Sequence, residues 1–326
     1  MKRLLLGTSV LALALAGCSS DGDAQTTAGA DRDATNAAGE TLAVSTAFYP
    51  LQFAVEQIGG DLVEATSLTP PGAEAHDVEL TPREVARLTE DDLIVYLSGF
   101  QPAVDQAVAN VAGEQALDVE PFAELSLTGD DHGHDHGDVH RDDHRDDHGH
   151  GDEATDPHFW LDPMRYAAVA QAIGDRFAEI DQDNAQTYQS NSQDFQSRLA
   201  ELDAEFTTAL ASCAHEDLVT SHAAFGYLAD RYDLHQVGIA GLTPDMEPSA
   251  AELRDLIAHV REAGVSTVYA ETLVDPALAE TIAREAGVEV RMLDPLEGLT
   301  DASAGSTYFE VMRSNLDVLT AGQECS

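Results

Sequence analysis

From Thr41 onward the chain alternates short apolar runs with stretches of helical period. TLAVST, DLVEATSL, LIVYLSG and ALDVE read as strands, with PLQFAVEQIGG, TPREVARLTEDD and PAVDQAVANVAG between them as helices. In the second of these helices, Thr81 stands at the N-cap, Pro82 at the first helical position and Glu84 at the third, the spacing of a capping box. Beyond DPHFWLDP the period becomes helical for a long stretch. MRYAAVAQAIGDRFAEI is followed by a segment in which Tyr188, Phe195, Leu199, Leu202, Phe206 and Leu210 keep one face, at spacings of 7, 4, 3, 4 and 4. That second helix, about 28 residues and roughly 40 Å long, is longer than one small domain needs, so it is expected to link two lobes. The alternation then restarts. DLVTSH, LHQVGIAG, VSTVYAET and VEVRMLDP are strands, separated by AAFGYLADRY, by SAAELRDLIAHVREAG closed at Gly264 and by PALAETIAREAG closed at Gly287, with STYFEVMRSNLDVLTAG as the last helix. Strands alternating with helices predict mostly parallel sheets. The expected fold class is therefore α/β: an N-terminal lobe over 41–180, a long rigid linking helix over 181–210 and a C-terminal lobe over 211–326.

Three segments lack this periodicity. MKRLLLGTSVLALALAGCSS has Lys2 and Arg3 ahead of an apolar run too short for a permanent membrane span, which fits a signal peptide over 1–17. Its LAGC end matches a bacterial lipobox, predicting cleavage before Cys18 and lipidation of that thiol. Residues 18–40 are small and polar, a flexible tether. These features predict a body anchored by lipid at the extracytoplasmic face of the cell membrane. Outside the cell, Cys213 and Cys325 suggest a disulfide pinning the C-terminus, with two free buried thiols as the alternative.

The third segment is DDHGHDHGDVHRDDHRDDHGHG, within an expected loop over 129–154. It carries seven histidines, His132, His134, His136, His140, His144, His148 and His150, among eight aspartates. Glycines and like charges interleave the imidazoles, so they cannot hold a fixed geometry. The expectation is an accessory loop that binds metal weakly; the alternative is a solvated acidic spacer. The whole chain is acidic, with 60 Asp and Glu against 16 Lys and Arg. Nucleic acid is excluded as a partner and cations are favoured.

Six histidines lie outside that loop: His76, His158, His215, His222, His235 and His259. His76 follows the second strand in a Pro/Gly-rich loop, His158 stands between two Asp-Pro steps, and His222 ends the strand DLVTSH. Asp294 ends the last strand. Three of these four stand at or just past the carboxyl end of a strand, where open α/β sheets place ligands. Three imidazoles and a carboxylate suit zinc, and their wide separation excludes a zinc finger. Glu271, at another strand end, or a water is the alternative fourth ligand. His215, His235 and His259 read as ordinary surface residues.

The local contexts extend this picture. STAFYPLQFAVEQIGGD, PGAEAHDVELTPRE, DPHFWLDP, SHAAFGYLADRYDL, GIAGLTPDMEPSAAELRDLI, VYAETLVDPALAETIAREAG and LDPLEGL, from about residue 42 to the end, resemble the zinc solute-binding lipoproteins of bacterial ABC importers, the ZnuA-like branch of the metal-receptor cluster. The resemblance implies two lobes bridged by a rigid helix and Zn(II) in the cleft between them. It implies that His76 and His158 come from the first lobe, and His222 and Asp294 from the second. It also implies a monomeric receptor with an ABC permease and its ATPase as partners. Manganese and iron receptors of the cluster generally carry a carboxylate where His222 stands, so zinc is favoured over those metals. Glu74 lies two residues before His76 rather than beside it, which disfavours it as a substitute ligand.

Two other functions compete. A zinc hydrolase needs an open coordination position and a general base, and the chain has no HExxH helix. A surface adhesin is compatible with lipid anchoring, but no repeats or stalk support it.

Overall fold

The computed structural model describes residues 41–111, 113–129, 154–246 and 248–326. The signal peptide, Cys18, the tether and the seven histidines from His132 to His150 lie outside the described residues. The described residues form one compact unit.

The first half is built from β1 (Leu42–Thr46), α1 (Tyr49–Gly59), β2 (Val63–Ser67), α2 (Pro82–Arg87), β3 (Leu93–Tyr96), α3 (Pro102–Val111), β4 (Ala116–Asp118) and the short α4 (Glu120–Ala123). Two helices follow, α5 (Pro163–Ile180) and α6 (Ala185–Ala209). The second half contains β5 (Asp217–Thr220), α7 (Gly226–Arg231), β6 (His235–Gly238), α8 (Ala250–Glu262), β7 (Thr267–Ala270), α9 (Ala277–Ala286), β8 (Glu289–Met292) and α10 (Tyr308–Gly322). Each half holds one four-stranded sheet, in the orders β2-β1-β3-β4 and β6-β5-β7-β8. Every pairing is parallel. The two sheets thus repeat one topology, and all carboxyl ends within a sheet lie on one side.

Local chemistry accounts for the boundaries. The Thr81 hydroxyl accepts from Glu84 N while the Glu84 carboxylate accepts from Thr81 N, completing the capping box. Ser249 and Glu252 repeat that device at α8. Gly287 closes α9 in the left-handed conformation at φ 81°, where a Cβ would be strained.

Alternation along the second sheet divides its side chains between two cores. Leu218 and Tyr269 join the large core, whereas their neighbours Val219 and Val268 pack into a smaller one with Val260 of α8 and Ile282 of α9. The large core is continuous from Val44 and Leu93 in the first sheet through Trp160, Phe195 and Phe206 to Leu218 in the second. α6 has 25 residues, about 37 Å of helix. Its predicted apolar face is buried at Tyr188, Phe195, Leu199, Leu202 and Phe206. It packs along α5 and α1 and touches α10, so it is a core element over its length. Phe309 of α10 reaches back to Phe53 and Phe195, with ring centroids 5.9 and 5.7 Å away. The expected disulfide between Cys213 and Cys325 is present and ties the end of α10 to the segment after α6. Among the described residues, no helix is long and apolar enough to cross a membrane.

The contact between α5 and α6 depends on a missing side chain. A Cβ built on Gly174 would lie 2.7 Å from the Ser192 Cβ, and the Ser192 hydroxyl donates to Ala170 O at 3.0 Å. Gly174→Ala is expected to lower stability by about 1–3 kcal/mol through overpacking, measured by urea denaturation. An unchanged midpoint would show that the helix pair yields without cost.

Candidate metal centre

At the carboxyl ends of the two sheets, four side chains meet: His76, His158, His222 and Glu297 each offer a ligand atom, all within 4.8 Å of one another. His76 stands in the loop between β2 and α2. His158 enters a 3-10 turn over Phe159–Leu161 that leads into α5. His222 lies two residues past β5, and Glu297 five past β8. One oxygen, Glu297 Oε1, lies 3.5 Å from His76 Nε2, 3.3 Å from His158 Nε2 and 3.1 Å from His222 Nε2. The Nε2 atoms of His158 and His222 are 3.4 Å apart. Ligand atoms 2.0–2.1 Å from one tetrahedral zinc ion lie about 3.3 Å from each other. The three distances to Glu297 Oε1 and the His158–His222 separation lie close to that edge.

Each buried imidazole is aimed from behind. Asp156 Oδ1 lies 2.7 Å from His158 Nδ1 and also accepts from His158 N. Glu271 Oε2 lies 2.5 Å from His222 Nδ1, and its other oxygen accepts from His222 N at 2.8 Å. A carboxylate can only accept, so each pairing keeps a proton on Nδ1 and points Nε2 into the site. There Nε2 donates to Glu297 from the protonated ring and offers a lone pair from the neutral one. His76 has a different support. Its ring stands edge-on to Phe100 at 4.8 Å. Its loop is held by Gln101 Nε2, which donates to Ala75 O at 2.8 Å and to Thr69 Oγ1 at 2.9 Å. His76 Nε2 is screened from water and takes no aligned hydrogen bond.

The electrostatics follow from this packing. Burial alone would push the Glu297 carboxyl up, but the rings of His158 and His222, with His76 close by, hold it well below the usual carboxylate range. Burial opposes charge on His222, yet Glu271 and Glu297 outweigh it and raise its pKa well above the ordinary value. His158 is likewise raised against burial, by Asp156 and Glu297. His76 is lowered by burial, which its contact with Glu297 does not offset. Glu74 is pushed up to about 9 by burial and then by Glu297, and it accepts from His76 N rather than facing the group as a free anion.

The structure brings together the three expected histidines and places the two expected acids elsewhere. Asp294 is outside the group. Its Oδ1 accepts from Leu296 N at 2.8 Å, its Oδ2 from the Ser303 hydroxyl at 2.7 Å, and its backbone is paired with the Asn315 amide. These bonds buckle the chain into a turn with Leu296 left-handed at φ 59°, and that turn points Glu297 inward. Glu271 touches the far nitrogen of His222. Glu297 and Asp156 were missed. Asp156 stands two residues before His158, a proximity that could have suggested an orienting carboxylate, whereas no local signal marks Glu297.

Bonds across the two halves fix the segments that carry these residues. Trp160 Nε1 donates to Pro295 O at 2.8 Å, joining the His158 and Glu297 segments. The Tyr308 hydroxyl donates to Trp160 O, and the Tyr227 hydroxyl to Asp156 O.

Comparison with known proteins gives the same direction. The sequence profile described as "ZnuA: Zinc-uptake complex component A periplasmic" matches residues 44–322. The "High-affinity zinc uptake system protein ZnuA" of Bacillus subtilis is 36% identical over 285 residues, covering 86% of this chain and 87% of that protein. The "Zinc-binding lipoprotein AdcA" of Streptococcus pneumoniae is 33% identical over 300 residues, covering 87% of this chain and 56% of its own length. The chain therefore spans about half the length of the curated AdcA relatives it matches. The crystal structure of the Zn(II)-bound ZnuA-like domain of Streptococcus pneumoniae AdcA superposes with a TM-score of 0.71 at 30% identity, covering 87% of this chain and 100% of that one.

The turn separates two roles that composition alone confuses. Glu297→Gln is expected to weaken metal binding at least about tenfold more than Asp294→Asn, because only the former removes a charge from the group. Equal losses in metal titrations would instead assign Asp294 a direct bond.

Proposed function

This chain belongs to the ZnuA family of zinc-uptake complex components, and on that premise we propose that it is an extracytoplasmic receptor that captures Zn(II) and delivers it to an ABC importer. Its partners are the permease and the ATPase of that importer, and lipidation at Cys18 holds it to the outer face of the cell membrane. The observation that carries this reading is the convergence of three Nε2 atoms on one oxygen of Glu297 at tetrahedral spacing. We assign His76, His158, His222 and Glu297 as the zinc ligands. Three imidazoles with one carboxylate oxygen favour zinc, whereas manganese and ferrous iron, as harder ions, prefer more oxygen. Four protein ligands in a buried site suit holding a cargo ion better than activating a water, which needs an open position.

Asp156 and Glu271 set the tautomers that make this capture work, and their loss is expected to cost about 10–100-fold in affinity. The His/Asp-rich segment supplies additional weak zinc binding near the site. The described residues at its base, Gly129 and Ala154, are joined by a backbone hydrogen bond, and Asp156 N donates to Leu127 O. The described residues on either side of that segment therefore lie beside those that lead to His158. The main test is a calorimetric zinc titration of metal-stripped protein. One tight equivalent is expected, lost in His222→Ala and retained when residues 130–151 are removed. A tight equivalent that follows the segment instead of His222 would overturn the assignment.

Proton competition gives a second test. Zinc needs neutral imidazoles. Because the His158 and His222 pKa values are raised, protons begin to compete at a pH above the ordinary histidine value of about 6.5. Affinity is fully present above the raised values and falls as pH drops through them, by about tenfold per pH unit for each proton displaced. Titrations in buffers of different ionisation enthalpy should register proton release near neutral pH. Affinity independent of pH between about 6 and 8 would contradict the raised values.

A further inference from the structure

We propose that Gln101 is a positioning residue for zinc retention: its side-chain amide fixes the loop that carries His76, and so sets how fast the ion leaves. The proposal rests on the assignment of His76 as a zinc ligand.

The loop from Thr69 to His76, TPPGAEAH, is poorly equipped to hold itself. Pro70 and Pro71 carry no N–H, and Gly72 turns the chain in the left-handed region at φ 76°. Two of its bonds, from Ala73 N to Pro70 O and from His76 N to Glu74 Oε1, start and finish inside the loop. Gln101 supplies a tie to the body. Its Nε2 donates to Ala75 O, the carbonyl just before His76, at 2.8 Å, and to Thr69 Oγ1, where the loop starts, at 2.9 Å. The Thr69 hydroxyl gives its own hydrogen to Ala47 O, just past β1. Ala75 O has no hydrogen to offer and that of Thr69 is in use, so both positions can only accept. An NH2 group alone satisfies the two together, which fixes the orientation of the amide.

The clamp is rigid at its other end as well. Gln101 is 1% exposed. It immediately precedes Pro102, the first residue of α3, and its carbonyl accepts from Asp105 N at 3.0 Å. Its Oε1 is screened from water and takes no aligned hydrogen bond, so the amide acts through its two N–H groups. Phe100, one residue earlier, sets its ring against that of His76. His158 and His222 are oriented by carboxylates at Nδ1; for His76, placement of the backbone takes that part. Loss of the two bonds would free Ala75 O to turn and His76 Nε2 to leave the group.

The test is a double-substitution cycle on the full chain, stripped of metal, with Gln101→Met, His76→Ala and the two combined. Zinc affinity is read by competition with a chromophoric chelator, and the dissociation rate by stopped-flow transfer to excess EDTA. Gln101→Met is expected to weaken the tight equivalent about tenfold, chiefly through faster dissociation. When His76 is already alanine, the same substitution should change affinity by less than about twofold. A role confined to general stability would cost the same in both backgrounds. Thermal melts of the metal-free proteins report folding. Should Gln101→Met not fold, Thr69→Val, which removes one of the two acceptors, decides by the same cycle. An unchanged affinity in Gln101→Met, or equal losses in both backgrounds, would overturn the proposal. An unchanged affinity in His76→Ala would overturn the ligand assignment and this inference with it.

Discussion

Removing three imidazoles and a carboxylate from water is costly, and the fold meets that cost by setting the groups against each other. Glu297 is buried and anionic because three ring nitrogens surround one of its oxygens. His222 and His158 are buried and basic because each has a carboxylate on both sides, one in the site and one behind it. An isolated charge in this position would be destabilised by several kcal/mol. The same mutual compensation suits the group to a dication, which takes over the imidazole lone pairs and the anionic oxygen together. A proton and a cation held there would compete for the same atoms.

Such a group is useful only if its members cannot drift apart, and the packing of the two halves ensures this. Ligand segments from both sheets share one apolar core that runs through α6. The bond from Trp160 to Pro295 O ties the segment bearing His158 to the turn bearing Glu297. Tyr227 and Tyr308 add two further links across the halves. His76 is the exception. It lies in a loop, its support is an aromatic edge and a held backbone rather than a carboxylate, and it retains some exposure where His158 and His222 are fully enclosed. Of the three histidines, His76 is therefore the one whose displacement would break the fewest buried bonds.

Parallel topology shapes the cleft. All strands of a sheet end on the same side, so loops after β2, β5 and β8 bring residues far apart in the chain into one space. At the other side the strands begin, and the register of β5 with β6 sets Asp217 beside His235. An acidic chain with 60 carboxylates against 16 basic groups surrounds the cleft with a potential that draws cations.

The sequence by itself determined the strand and helix order, the disulfide partners and the three cleft histidines. Those depend on short-range signals: apolar period, caps such as Thr81 with Glu84, and imidazoles placed where strands end. Only the tertiary structure decided which acid stands beside the three histidines. Asp294 has the strand-end position, but Leu296 N, Ser303 and the Asn315 pairing lock it into a turn that turns Glu297 inward instead. Glu271 read along the sequence only as an alternative fourth ligand; its contact with the far nitrogen of His222 depends on how β5 and β7 pair. His235 and His259 carry no local mark, since their meeting at Asp217 requires both strand register and the return of α8. Ligand choice is made by side-chain direction, and direction is set by long-range hydrogen bonds that no local pattern encodes.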